Sequence, residues 1–353
     1  MGQPLRDRYP PGNILTGRRN LMLDLFVSIV NHNHADLLPP CLDSVFKSLR
    51  DLKAQVAVLD NASTDGSAQL VAERYPEVEL ITREKHYGFS ANHNHVVKPH
   101  LGEAKYYLLL NDDTVVEGQT LKDMAKFMDE NPQVGIVGAR LVYPDGSVQA
   151  SYGAFPGVWD VIFFIWGLGS LLPKHKRQQL KGFIKTFKRF LPAQSQVYLD
   201  NWVDPPRQPL RVDWVSGACI MVRAEMIEQV GLLDEESYFM YFEETDWCKR
   251  AVEKGWQVYY LPETCVRHFS SASRSRITAF AFIQSGCRYF EKHGTRRDVL
   301  TFKAAIALKA VINLIWGGIK WIVKPGSRQK TEDTLGLQND FLRLALIGLK
   351  KSA

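Results

Sequence analysis

The chain has 353 residues, is 45% hydrophobic and carries a formal net charge of +6. That length and apolar content exclude a disordered chain or a small disulfide-stapled scaffold, and fit one large domain plus an accessory part. Cys41, Cys219, Cys248, Cys265 and Cys287 are odd in number and form no CxxC pair, which excludes a disulfide framework and a zinc ribbon and fits reduced thiols in a cytosolic protein. Residues 1–22 hold four arginines and no apolar core, so they read as a flexible arm and not as a secretory signal.

The first predicted strand, Leu25 to Val30, runs into Asn31-His32-Asn33. A helix follows, because Leu38, Cys41, Leu42, Val45, Phe46 and Leu49 recur at three and four residues. Pro39 and Pro40 suit its first turn, where a missing N–H costs little. The second strand, Val56 to Leu59, runs into Asp60-Asn61-Ala62-Ser63-Thr64-Asp65-Gly66-Ser67. Ser63 or Thr64 is the expected cap of a helix carrying Leu70 and Val71 and stopping near Pro76. Val78 to Ile81 is a third strand. This strand–helix alternation predicts a parallel sheet with right-handed crossovers.

The apolar run Tyr106 to Leu110 then stops at Asn111-Asp112-Asp113-Thr114. Alone this reads equally well as an ordinary turn, since Asn and Asp stabilise turns. With two earlier strands ending in polar clusters, it falls on the carboxyl edge of a sheet, where α/β proteins bind ligands. Two adjacent carboxylates there suit Mg²⁺ or Mn²⁺ and, through the metal, a diphosphate.

Composition shifts after about residue 153. Residues 158–203 form an amphipathic insertion: Trp159, Phe163, Phe164, Ile165 and Trp166, then Phe183, Ile184, Phe187, Phe190 and Leu191 interleaved with Lys181, Lys185, Lys188 and Arg189. An apolar face opposite a cationic one fits a membrane interface as well as a surface helix packed on its own domain. Asp213-Trp214-Val215-Ser216-Gly217-Ala218 reads as a turn feeding a buried strand, with Gly217 and Ala218 leaving room for a ligand.

Glu243, Glu244 and Asp246 open the next predicted helix. On spacing alone they read first as N-terminal acids favoured by the helix dipole. Crowded carboxylates also raise one another's pKa, which suits a general base. A strand over Val258 to Pro262 leads to His268, near Ser270, Ser271, Ser273 and Arg274. An imidazole beside hydroxyls and a guanidinium can complete a metal–diphosphate site.

The segment Val299 to Val323 is apolar but holds Lys303, Lys309 and Lys320. Lys309 near its middle favours an interfacial helix or hairpin over a span. The Phe341 to Leu349 segment is amphipathic too. Together with the net charge, these predict a peripheral membrane enzyme on an anionic surface, with residues 291–353 as a membrane-associating extension. Nothing points to a nucleic-acid partner.

In this order the motifs resemble family 2 glycosyltransferases, in their bacterial rhamnosyltransferase-like branch. The matching pieces are Val27-Ser28-Ile29-Val30-Asn31, Asp60 to Ser67, Gly88-Phe89-Ser90-Ala91-Asn92, Leu109 to Thr114, Asp213 to Ala218, Glu243 to Asp246, and His268. The resemblance implies an α/β GT-A fold: a Rossmann-like mixed sheet flanked by helices, with a donor-binding half at 23–153 and an acceptor and catalytic-base half at 154–290. It implies a nucleotide-diphospho-sugar donor, a divalent metal and inversion at the anomeric carbon.

Carried over by position, Asp60 would bond the nucleotide base, with Val30, Asn31, Asn61 and Ser63 around it. Asn92, Asn94, Asn111 and Asp112 would line the donor. Asp113, aided by Asp112, and His268 would hold the metal. Trp214, Gly217 and Ala218 would border the donor sugar or acceptor, with Arg274 near the diphosphate. Glu244 would be the base, with Glu243 and Asp246 as rivals.

Relatives often carry Pro at Asp112 and Asp at Glu244, so the base is one methylene longer here. They usually carry Asn at His86 and Gly near His95. The expected reaction moves a sugar, rhamnose from a dTDP donor, to a lipid-linked or polysaccharide acceptor on the inner face of a bacterial plasma membrane. The alternatives are a catalytically silent sugar-nucleotide or lipid-binding partner and a sugar nucleotidyltransferase. The latter lacks support, because Asn31-His32-Asn33-His34 is not a Gly-rich basic loop.

Overall fold

The computed structural model describes residues 22–166, 196–197, 205–270, 276–323 and 328–347. The bulk of the 158–203 insertion and Arg274 lie outside the described residues.

Strands β1 (Leu23–Asn31), β2 (Ala54–Asn61), β3 (Glu79–Arg83) and β4 (Ala104–Asn111) pair in parallel, in the order β3-β2-β1-β4. Their crossovers are α1 (Leu38–Ser48), α2 (Ser67–Arg74) and α3 (Phe89–Val97). Next come β5 (Thr114–Val116), α4 (Thr120–Glu130), β6 (Val134–Val142), β7 (Val148–Gln149) and β8 (Tyr152–Gly153), of which β8 pairs with β10 in a separate two-stranded sheet. After α5 (Val158–Ile165) come β9 (Leu210–Val212), β10 (Trp214–Val215), β11 (Cys219–Arg223) and α6 (Ala224–Val230). Then follow α7 (Glu243–Glu253), β12 (Gln257–His268), α8 (Arg276–His293), α9 (Arg296–Val323) and α10 (Arg328–Ile347).

The large sheet is mixed: β11 lies antiparallel between β4 and β6, and β12 runs parallel to β6. Mixed pairing departs from the all-parallel order that the first strands predict alone, and agrees with the GT-A expectation.

Both faces of the sheet are covered, so its strands are apolar on both sides. Leu25, Val27, Ile29, Leu108 and Leu110 pack towards α1 and α4. Phe26, Tyr107 and Leu109 alternate with them and pack with Val96, Met226, Trp247 and Cys248 of α3, α6 and α7. Trp247, Cys248 and Ala251 are buried, as the helical pattern predicts.

The helix after β2 starts later than its capping signals indicate. Gly66, at φ +86°, precedes Ser67, and Asp65 Oδ1 accepts from the Ser67 N–H at 3.0 Å. The Ser63 hydroxyl instead accepts from the Asn31 amide and from the Asn33 N–H. Ligand-edge geometry thus overrides the local capping preference.

A third core joins the C-terminal helices to the body. Val158 and Val161 of α5, Tyr238, Phe242, Ile283, Tyr289 and Phe290 of α8, Phe302 and Ile306 of α9, and Leu344 of α10 are buried together. Helix α8 runs across the boundary drawn at 290/291 and packs into this core. Lys309, which interrupts the apolar run of α9, turns inward, and its Nζ donates to the Ile165 carbonyl at the end of α5. Burial pushes its pKa down. Helices α9 and α10 pack as a hairpin: a side chain at Gly317 would collide with Leu335, and Asn313 Nδ2 donates to Gln338 Oε1 at 3.2 Å.

The five cysteines are free thiols, four of them buried.

Candidate active site

The three polar strand ends meet. Register pairs Asn31 with Asp60 across β1 and β2, and Val30 with Asn111 across β1 and β4. Asn31 Nδ2 donates to Asp60 Oδ1 at 2.9 Å and to Ser63 Oγ at 3.1 Å. Asp60 Oδ2 accepts from the Ser63 N–H at 3.0 Å. The Asn31 Oδ1 atom is buried without a partner. Buried acceptors are ordinarily satisfied, so this atom is open to a donor from a ligand.

Asn61 and Asn92 act one step back from such a ligand. Asn61 Oδ1 accepts from the Tyr87 N–H at 2.9 Å, and its Nδ2 donates to the Tyr87 carbonyl at 3.0 Å. Asn92 Nδ2 donates to the same carbonyl at 3.1 Å. The two side chains pin the 84–88 loop through the Tyr87 backbone. Asn94 is committed elsewhere: its amide pairs with the Leu233 backbone in both directions and with Glu235. Its position ties α3 to the 233–235 turn rather than facing the strand ends.

Asp112 and Asp113 are buried at the end of β4. His34 Nδ1 lies 2.9 Å from Asp112 Oδ2, which also accepts from the His32 N–H at 3.3 Å. The Asp112 hydrogen bond pushes the His34 pKa up. Burial pushes Asp112 up as well, outweighing the opposing pull of His34.

Asp113 Oδ1 lies 3.2 Å from His268 Nε2. Sheet pairing holds them there: His268 pairs with Thr114, and the Phe269 N–H donates to the Asp113 carbonyl at 2.9 Å. His268 Nδ1 meets Gln149 Oε1 at 2.8 Å.

This donor set fits a hard divalent cation. Metal–ligand bonds near 2.1 Å place adjacent octahedral ligands about 3.0 Å apart, close to the Asp113–His268 separation. Among the described residues no group of three or more His, Cys, Asp or Glu side chains is arranged to hold a metal.

The acids of α7 diverge in environment. Two successive residues before the helix, Tyr241 and Phe242, hold φ of +71° and +66°. Aromatic residues rarely adopt this conformation, and strain of this kind clusters at functional sites. Packing enforces it: Tyr241 and Phe242 both lie against Phe282, Phe242 lies against Tyr289, and Ser285 Oγ donates to the Met240 carbonyl at 2.7 Å.

This strained turn delivers Glu244 into a cleft of about 150 Å³ lined largely by Pro156, Val161, Phe164, Trp214, Tyr241 and Phe282. Burial raises the Glu244 pKa to about 7. Glu243 is buried behind it, with Oε2 unpartnered. Burial and the Glu244 charge push the Glu243 pKa well above the usual carboxylate range.

Asp246 is an ion-pair node. It receives Arg250 Nε at 2.7 Å, Lys292 Nζ at 2.8 Å and His293 Nε2 at 2.7 Å. Despite burial, these partners hold its pKa down to about 2.

Residues 217 and 218 connect the two clusters. The Asn111 N–H donates to the Ala218 carbonyl at 3.0 Å. A β-carbon built on Gly217 would stand 3.2 Å from the Phe89 ring and 3.8 Å from Glu244 Cβ. Trp214 Nε1 donates to the Ala154 carbonyl at 2.9 Å, and Trp214 lines the cleft together with Glu244.

Sequence reasoning missed His34, Gln149, Phe282 and the left-handed turn. His34 was legible in outline, because it follows the end of β1, which sheet order sets beside β4. Gln149 and Phe282 carry no local signal. Only the β6–β7 hairpin and the return of α8 bring them in.

A mixed sheet with three polar strand ends on one edge, an acidic pair at the end of β4 and a second acidic cluster at the start of α7 fit a glycosyltransferase of the GT-A class. Two solved structures share this fold. One is the mannosyltransferase PcManGT of Pyrobaculum calidifontis, in complex with GDP-Man and Mn²⁺, with a TM-score of 0.50 at 16% identity over 94% of this chain and 88% of that one. The other is GalNAc-T7 with UDP, GalNAc and Mn²⁺, with a TM-score of 0.51 at 14% identity over 77% of this chain and 48% of that one.

The family model "Glycosyl transferase family 2" matches residues 26–190. An N-acetylglucosaminyl-diphospho-decaprenol L-rhamnosyltransferase of Mycobacterium tuberculosis is 28% identical over 236 residues, spanning 63% of this chain and 68% of that protein. The rhamnosyltransferase WbbL of Escherichia coli K12 is 23% identical over 279 residues, spanning 76% and 93%. Residues 26–190 thus form a family 2 glycosyltransferase domain, and the chain is similar to rhamnosyltransferases.

Proposed function

We propose that the enzyme transfers rhamnose, from a dTDP-linked donor, to a hydroxyl of a lipid-linked or polysaccharide acceptor, with inversion and with a divalent metal, Mg²⁺ or Mn²⁺. The observation that carries this reading is the bridge at Gly217–Ala218, which sets Glu244 beside the carboxyl edge that ends in Asp113.

The residues divide the work. Asn31, Asp60 and Ser63 receive the nucleotide base, and the Asn61- and Asn92-pinned loop closes over it. Asp113 and His268 would hold the cation, which when bound would supply Lewis-acid neutralisation of charge at the departing diphosphate. The acceptor sugar enters the aromatic cleft beside Trp214. Glu244 takes its hydroxyl proton as the oxygen bonds to the anomeric carbon. The bond from that carbon to the diphosphate breaks on the opposite face, and the nucleoside diphosphate leaves with the electron pair. Asp246 anchors the helix that carries Glu244.

Asp113→Asn is expected to lower turnover by roughly 10²–10³-fold, as loss of a charge stabiliser at a leaving group does, and excess EDTA is expected to stop the wild type. Transfer that survives both treatments would remove the metal from the account.

Membrane association forms part of the same reading. Helix α9 is the one helix among the described residues long and apolar enough to cross a membrane, by length and composition. With Lys309 turned onto α5, its solvent side presents Leu300, Leu308, Val311, Ile315 and Ile319, spaced by three, four or eight residues. Exposed Arg296, Arg297 and Lys320 bracket this stripe. An apolar face with cations at both ends suits a helix lying in an anionic interface, on the cytoplasmic side where soluble sugar nucleotides are met. Serine at Leu308, Val311 and Ile315 is expected to abolish co-sedimentation with phosphatidylglycerol-containing vesicles while leaving donor binding intact. Equal pelleting of variant and wild type would relocate the contact.

A further inference from the structure

His268 is gripped on both ring nitrogens, by Asp113 on Nε2 and by Gln149 on Nδ1. An imidazole binds a cation through a bare ring nitrogen, so its other nitrogen must carry the proton. Whatever accepts that proton fixes both the tautomer and the direction of the lone pair. The Gln149 oxygen facing Nδ1 is an acceptor only. It therefore requires a proton on Nδ1, so Nε2, which faces Asp113 Oδ1 at 3.2 Å and the Asn111 amide nitrogen at 3.4 Å, is the nitrogen that would be bare with a cation bound.

The fold builds this contact on purpose-made elements. Asp145 Oδ1 accepts from the Ser147 N–H at 2.9 Å, Gly146 turns at φ +81°, and the Tyr143 N–H donates to the Ser147 carbonyl at 2.8 Å. This hairpin returns β7 along β6 and pairs Gln149 with Leu141. Leu141 in turn pairs with Val266 of β12. Cross-strand partners share a face, and so do residues two apart on one strand. Gln149 and His268 therefore stand on the same face, at the sheet end where Asp113 lies.

On the metal reading above, we propose that Gln149 is the positioning residue that orients His268 as a ligand for the divalent cation. The role is one of alignment: Gln149 touches neither substrate nor metal. A purely structural role would lower stability without changing the affinity for the cation in the folded protein.

The test is Mn²⁺ binding to the full chain in the presence of a nucleoside diphosphate, read from the EPR signal of free Mn²⁺. Gln149→Met keeps the length of the side chain and removes the acceptor. It is expected to weaken the Mn²⁺ Kd by about 10–100-fold, the usual cost of losing such an outer partner, with metal-free nucleotide binding unchanged as a check on folding. Gln149→Glu, which still accepts the Nδ1 proton, is expected to restore binding. Gln149→Ser repeats the loss with a smaller side chain and serves if the Met variant folds poorly. Wild-type Mn²⁺ affinity in folded Gln149→Met or Gln149→Ser overturns the role of Gln149 alone. Absence of Mn²⁺ binding in the wild type overturns this inference and the metal reading together.

Discussion

Replacing Glu244 with Gln is expected to lower turnover by about 10²–10⁴-fold, the range over which a positioned general base acts, with donor affinity unchanged. The variant keeps the size of the side chain and its place in the cleft, so the loss falls on the chemical step and not on binding. The wild-type pH profile is a second signature. Only the deprotonated carboxylate accepts the acceptor's proton, and burial raises its pKa to about 7. The rate is therefore expected to climb as pH rises through neutrality, and this acid limb is expected to vanish in the residual activity of Glu244→Gln.

Stability moves in the opposite direction. A carboxyl whose folded pKa exceeds its unfolded value binds more protons when folded, so stability falls as pH rises between the two values. Glu244→Gln removes that penalty and is expected to raise Tm at pH 8 more than at pH 5. An inactive variant that is also less stable at pH 8 would instead indicate a structural role for Glu244.

Asp246→Ala is expected to act through folding. It leaves Arg250, Lys292 and His293 facing a buried vacancy. Breaking a buried ion pair from one side costs about 3–5 kcal/mol. The Asp246 pKa is depressed to about 2, so its contribution is full above the ordinary carboxylate range and fades as pH falls through the folded value. The expected result is a large drop in denaturant midpoint at pH 7 that shrinks towards pH 3. Surviving folded enzyme is expected to keep the wild-type acid limb, since the base is untouched. A folded variant with normal stability and a lost acid limb would move the base from Glu244 to Asp246.

The two acids show what the sequence could and could not reveal. Glu243, Glu244 and Asp246 share one turn of α7, and spacing gives them equal claims to the base. Their roles separate only through partners far along the chain. Lys292 and His293 return on α8 to neutralise Asp246, while Glu244 meets apolar side chains of α5 and α8. The strained Tyr241–Phe242 turn was illegible for the same reason, since aromatic residues at positive φ contradict local propensity and persist only under the packing of Phe282 and Tyr289.

The donor edge, by contrast, was open to reading. Each of its strands carries its own polar terminus, and parallel pairing sets those termini side by side without further information. Even there, Asn61, Asn92 and Asn94 sit where the motif order puts them yet give their hydrogen bonds to backbone. Motif position locates a residue, and its partners decide whether it meets the ligand.

The most direct test of the account is transfer from dTDP-rhamnose to a polyprenyl-diphospho-sugar with Mn²⁺ present, following the nucleotide and lipid products together. The account predicts one nucleoside diphosphate released per inverted glycoside formed, with both products lost in EDTA and in Glu244→Gln. Release of nucleoside monophosphate and sugar phosphate, or transfer that is undiminished in Glu244→Gln, would contradict it.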